Sequence, residues 1–233
     1  MLEVYAVKIN DEVERDKFEK VLHNLPEDKK EKIKKFRRFE DGLRALSAEI
    51  LIRVIITTKL GIKNDEIVFE TGQHGKPYLT GFDNFHFNLS HSGKWVVCAV
   101  SDLPVGIDVE QIKEIELNIA NRFFSQIEAK DLFHKNENER LGYFFDLWTL
   151  KESYIKADGK GLSMPLNSFS FRVENDEIFF ETDNELKDCY FKQYSIDRDY
   201  KLSVCSQVAK FPKSVLVKEF DDICVEFLRY VTS

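Results

Sequence analysis

The chain has 233 residues, of which 43% are apolar and 13% aromatic. That is enough for one large domain or two small ones with their own cores, and it excludes a disordered polypeptide. A formal net charge of -7 argues against a general nucleic-acid binder.

No run approaches the roughly 20 apolar residues of a membrane span, and the N-terminus has no signal-peptide pattern. The cysteines Cys98, Cys189, Cys205 and Cys224 form no C-x-x-C pair. Buried thiols in a reducing cytoplasm are the expectation.

Leu2 to Ile9 reads as a first strand. Phe36, Phe39, Leu43, Leu46 and Ile50 recur at helical spacing, which predicts one amphipathic helix from Pro26 to about Thr58, stopped by Gly61. Asp28 to Arg44 holds eight Lys or Arg against four acids, a net of +4 in an acidic chain. A basic face in that setting suggests a defined anion, beside the plainer reading of a solvated helix face. Strand-like pieces follow at 67–70, 85–89, 95–101 and 105–110, with glycines and Pro77 supplying the turns. The second half loosely repeats this order, with helical patterns over 118–134 and 138–157, then strands near 168–173, 177–181, 189–196 and 201–206. The chain is therefore expected to be α+β, with two similar lobes that each pack a long helix on a small antiparallel sheet. The seam is placed near residues 101–104, dividing the chain into 1–103 and 104–233, with the site in the cleft between the lobes.

Two acidic signals carry the chemistry. In Gly106-Ile107-Asp108-Val109-Glu110, a strand would put Asp108 and Glu110 on one face, roughly 6.6 Å apart along the chain, with Ile107 and Val109 turned into a core. In Trp148-Thr149-Leu150-Lys151-Glu152-Ser153-Tyr154-Ile155-Lys156, Glu152 and Lys156 share a helix face. Three carboxylates with a nearby Lys suit Mg²⁺ and phosphate. Strand-end acids and a surface ion pair are the bland alternatives. Asn88-Leu89-Ser90-His91-Ser92-Gly93 can offer donors to a phosphate. A Ser–His hydrolase dyad is disfavoured there, because adjacent strand side chains point apart and no G-x-S-x-G elbow is present.

Together with Gly75-Lys76-Pro77, Phe87-Asn88-Leu89-Ser90-His91-Ser92 and Arg122-Phe123-Phe124-Ser125, these segments resemble the 4′-phosphopantetheinyl transferases of the surfactin-synthetase-activating type, from the first strand to about residue 206. The resemblance implies a monomer of two pseudo-symmetric lobes holding coenzyme A between them. It implies Mg²⁺-dependent transfer of the phosphopantetheine arm to a serine of an apo acyl or peptidyl carrier protein, releasing 3′,5′-ADP. On matching positions, Asp108, Glu110 and Glu152 would hold Mg²⁺. Lys76, Ser90, His91 and Lys156 would line the coenzyme phosphates, and Lys29, Lys32 and Arg44 would face the 3′-phosphate. Glu152 and Lys156 are the expected catalytic pair. Many relatives have a hydroxyl residue where this chain has Ala45, so one phosphate contact is expected to be missing. The segment from about Gly159 to Tyr190 matches the part that docks the carrier. Two other classes stay open: a Mg²⁺-dependent phosphohydrolase using water, and a non-catalytic binder of coenzyme A or a carrier.

Overall fold

The computed structural model describes residues 1–10, 13–175 and 177–232. The first strand, β1 (Glu3–Lys8), is apolar on both faces, with Val4 and Ala6 on one side and Val7 on the other. Helices α1 (Arg15–His23), α2 (Glu27–Lys34) and the long α3 (Phe39–Leu60) follow. The single helix expected from 26 to 58 is thus broken over residues 35–38. An unbroken helix would stack Lys34 on Arg37 and Arg38, like-charge pairs that disfavour helix. The break also brings Ile33 and Phe36 onto Gly42 of α3, where a β-carbon would stand 3.7 Å from the Ile33 carbonyl oxygen. Gly61 ends α3 at φ 67°, a left-handed conformation that glycine adopts without steric cost.

A ribbon of β2 (Phe69–Thr71) and β3 (Pro77–Leu79) leads to β4 (His86–Ser92) and β5 (Trp95–Ser101). β5 lies between β1 and β4, antiparallel to both. The second half follows the same wiring. It opens with β6 (Val105–Gln111), then the short α4 (Ala120–Phe123), α5 (Gln126–His134) and the long α6 (Glu137–Asp158). A ribbon of β7 (Phe169–Glu174) and β8 (Glu177–Thr182) precedes β9 (Tyr190–Tyr194) and β10 (Tyr200–Ser206). Again the last strand is central, antiparallel to β6 and β9. Both long helices have 22 residues and end on a left-handed glycine, Gly61 or Gly159. The expected α+β architecture of two similar lobes is present as a repeated topology.

The sequence reading assigned no element beyond residue 206. The structure has β11 (Leu216–Glu219) and α7 (Phe220–Thr232) there. β11 runs parallel to β1, so the first sheet is mixed rather than purely antiparallel. α7 buries Phe220, Ile223, Cys224 and Phe227 in the α3 core, the i, i+3, i+4, i+7 spacing of an amphipathic helix. Among the described residues, no helix is long and apolar enough to cross a membrane.

The two sheets stack face to face through Val4, Ala6, Val97, Ala99, Ile107, Val109, Leu202 and Val204. α3 covers the outer face of one sheet and α6 that of the other. The α6–β6 crossing is close. A β-carbon on Gly106 would fall 2.0 Å from the Ser153 carbonyl oxygen and 2.4 Å from the Ala157 nitrogen, so only glycine fits.

Within the second core, Lys151 and Glu128 are both 0% exposed and 2.8 Å apart. Lys151 also donates to the Leu166 and Phe169 carbonyls, and Glu128 accepts from the Ser125 and Phe171 N–H groups. The Lys of the W-x-x-K-E segment is therefore architectural: it ties α6 to α5 and to the approach to β7.

Two stability outcomes follow from these contacts. Gly106→Ala is expected to cost about 3 kcal/mol, because helix backbone must move, and so to lower Tm by about 6–12 °C in a chain of this size. Lys151→Met should cost about 3–5 kcal/mol by stranding the Glu128 charge, with much of that recovered in Lys151→Met/Glu128→Gln. Urea unfolding of the three variants checks both.

Candidate active site

β6 is the outer strand of the second sheet. Ile107 and Val109 are fully buried between the sheets, which turns Asp108 and Glu110 toward α6. The edge of β6 away from β10 is closed by side chains of β4. Phe87 and Leu89 face the α3 core, and by alternation Asn88, Ser90 and Ser92 face β6. Asn88 Oδ1 accepts the Ile107 N–H at 2.9 Å, Ser90 Oγ the Val109 N–H at 3.4 Å and Ser92 Oγ the Gln111 N–H at 3.1 Å. Ser90 and Ser92 then donate to Asp108 Oδ1 and Glu110 Oε2, each at 2.8 Å.

Lys156 of α6 completes the cluster. Its Nζ lies 2.5 Å from Asp108 Oδ1 and 3.0 Å from Ser90 Oγ. Asp108 is 3% exposed, and its Oδ2 is buried without a hydrogen-bond partner among the described residues. Burial raises the Asp108 pKa against the pull of Lys156 and Ser90. Burial, and then the neighbouring carboxylates, raise those of Glu110 and Glu152. Three desolvated carboxylates facing one ammonium make a place short of positive charge.

The all-oxygen donors and the orphaned Asp108 oxygen fit a hard divalent cation. Among the described residues, however, no three His, Cys, Asp or Glu side chains stand in metal-binding geometry. Lys156 engages the other Asp108 oxygen instead.

The residues expected on the coenzyme phosphates divide. Lys76 is held between β6 and α6: its Nζ donates to the Val105 and Ala157 carbonyls, both at 3.1 Å, and burial lowers its pKa to about 8. With Asn88, Glu152 and Lys156 it lines a cleft of about 260 Å³. Ser90 faces the carboxylates, whereas His91 points from the other side of β4. Burial first, then the Arg44 charge, hold the His91 imidazole below its ordinary range, although the residue still meets solvent.

Arg44 pairs with Asp41 and donates to the Gly93 carbonyl at 3.0 Å. Lys29 instead pairs with Glu49 at 3.2 Å and lies over the Phe69 ring. Arg44 and Glu49 are five residues apart, about 140° around α3. Lys32 is exposed in the last turn of α2. Thus Ser90 and Lys156 meet the carboxylates, Lys76 shares the cleft with Glu152, Arg44 and His91 are neighbours, and Lys29 and Arg44 address different sides of α3.

Glu110 also borders an apolar groove of about 490 Å³ lined by Ile119, Phe144, Phe145 and Trp148, with Lys113 at its rim. This groove and the roles of Asn88 and Ser92 were not identified from sequence. The signal for the latter was the alternation N-x-S-x-S: three polar side chains on one face of an apolar strand.

Residues 12–103 match the family described as 4'-phosphopantetheinyl transferase, N-terminal, and residues 104–205 match the 4'-phosphopantetheinyl transferase superfamily. The chain is 37% identical to 4'-phosphopantetheinyl transferase Sfp of Bacillus subtilis, over 95% of this chain and 100% of that one. It is 37% identical to 4'-phosphopantetheinyl transferase gsp of Aneurinibacillus migulanus, over 98% and 96%. It is also 32% identical to L-aminoadipate-semialdehyde dehydrogenase-phosphopantetheinyl transferase of Xenopus laevis, over 76% and 66%. With both halves matched in order and full-length relatives sharing over a third of its residues, the chain belongs to the 4'-phosphopantetheinyl transferase superfamily and is an enzyme of that class.

Proposed function

We propose that the enzyme transfers 4′-phosphopantetheine from coenzyme A to a serine hydroxyl of an apo acyl or peptidyl carrier protein, with Mg²⁺, releasing 3′,5′-ADP. The observation that carries this reading is the position of the carboxylate cluster. It lies between a Lys-lined cleft suited to a diphosphate and an apolar groove suited to the pantetheine arm or the carrier.

In this reading Asp108, Glu110 and Glu152 hold the ion, which when bound offsets charge on the diphosphate oxygens. Lys76, Ser90, His91 and Lys156 bind the coenzyme phosphates. Lys29, Lys32 and Arg44 serve the 3′-phosphate, which requires Lys29 to leave Glu49 and reach round α3 to the side of Arg44. Residues 1–103 act mainly on coenzyme A, and 104–233 supply the carboxylates and dock the carrier.

Serine is a weak nucleophile at its free pKa and requires a base. Glu152 is desolvated and crowded by Asp108 and Glu110, which makes it a better proton acceptor than a free carboxylate. The serine oxygen bonds to the pantetheine-bearing phosphorus, the bond from that phosphorus to the bridging oxygen breaks, and Glu152 takes the proton. Lys156 leaves Asp108 to neutralise the departing 5′-phosphate of 3′,5′-ADP. The reading further places the enzyme as a monomer in the cytoplasm; its four free cysteines suit a reducing compartment.

Incubation with coenzyme A, Mg²⁺ and several apo carriers, followed by intact mass of the carriers, tests the reaction. A gain of one phosphopantetheine that is lost on chelation is expected. Cleavage of coenzyme A without any carrier would instead indicate a phosphohydrolase. Glu152→Gln should lower kcat by about 10²-fold or more while coenzyme A binding by calorimetry is little changed. Near-normal turnover would remove Glu152 from the mechanism.

A further inference from the structure

Ser92 sits where closing the β6 edge and orienting a carboxylate become one task. Its Oγ accepts the Gln111 N–H at 3.1 Å, which uses a lone pair and leaves its one proton for Glu110 Oε2, 2.8 Å away. The backbone beneath it is also held. Gly93 follows at φ 53°, and a β-carbon there would fall 2.1 Å from the Tyr200 hydroxyl. That hydroxyl accepts the Lys94 N–H at 3.0 Å, and Tyr200 pairs with Gln111 across β10 and β6. The turn after Ser92 is thus clamped to β10, the strand paired with the one that carries Glu110. Asp108 is confined by burial and by Lys156. Glu110 is only partly buried, has three side-chain torsions, and lacks such confinement.

We propose that Ser92 is a positioning residue, whose hydroxyl holds one oxygen of Glu110 and thereby presents the other to the divalent ion. The inference rests on the proposed metal role of Glu110. Outer-shell hydrogen bonds to ligating carboxylates characteristically govern metal affinity.

The test titrates Mg²⁺ into the coenzyme A-saturated protein by calorimetry, alongside kcat, KM and thermal unfolding, for Ser92→Ala, Ser92→Thr and Glu110→Gln. Ser92→Ala is expected to weaken Mg²⁺ binding by about 10-fold or more, with the KM for coenzyme A little changed. Ser92→Thr, which keeps the hydroxyl and suits a strand, should restore Mg²⁺ binding to near the parent value. The proposal is overturned if Ser92→Ala lowers Tm yet binds Mg²⁺ like the parent, which would make edge closure its whole role. It is equally overturned if Ser92→Thr binds Mg²⁺ as weakly as Ser92→Ala. Glu110→Gln separates the two levels. Parent-like Mg²⁺ binding by that variant removes the metal role of Glu110 and the Ser92 proposal with it. Weak binding by Glu110→Gln beside parent-like binding by Ser92→Ala removes the Ser92 proposal alone.

Discussion

An unpaired strand edge governs this molecule. β6 gives one edge to β10, and its other N–H groups must find acceptors or be buried unmade, at a cost of about 1–3 kcal/mol each. Asn88, Ser90 and Ser92 supply those acceptors from β4. The bonds are side chain to backbone, so the two sheets can stack on their apolar faces and still be locked in register. A one-residue slip would offer Phe87 and Leu89 to the polar edge and Asn88 and Ser90 to the α3 core. The seam and the site therefore share one set of atoms: the hydroxyls that close the edge also hold Asp108 and Glu110.

The close crossing of α6 over β6 adds the third carboxylate and the Lys. Without a β-carbon on Gly106, the α6 backbone approaches the strand at Ser153 and Ala157. Glu152 and Lys156, on that stretch of α6, are thereby carried to Asp108. Electrostatics then sets the character of the place. Burial raises all three, Asp108 further raises Glu110, and Asp108 and Glu110 further raise Glu152, so the cluster attracts positive charge. Lys156 supplies some of it, and the free Asp108 Oδ2 marks where more is wanted.

Not every polar residue of the motifs is chemical. Lys151 and Glu152 are adjacent in sequence, yet one is sealed in the second core against Glu128 and the Phe169 ring while the other faces the cleft. Successive residues on a helix are rotated by about 100°, so adjacency separates them. The same holds for Ser90 and His91 on β4, where alternation sends one to the carboxylates and the other toward Arg44.

Periodicity and punctuation in the sequence were sufficient for the two-lobed α+β plan, for the Gly61 stop of α3, and for Asp108 and Glu110 sharing a face. These are local properties, set by side-chain alternation, helical spacing and the freedom of glycine. The return of residues 216–232 to the first sheet came from tertiary packing, because its partner β1 is distant in sequence. So did the use of Asn88 and Ser92. An N-x-S-x-S alternation states that three polar groups share a strand face, but not that a strand edge lies opposite to receive them. Only folding supplies that edge, and with it the difference between a polar strand face and the frame of an active site.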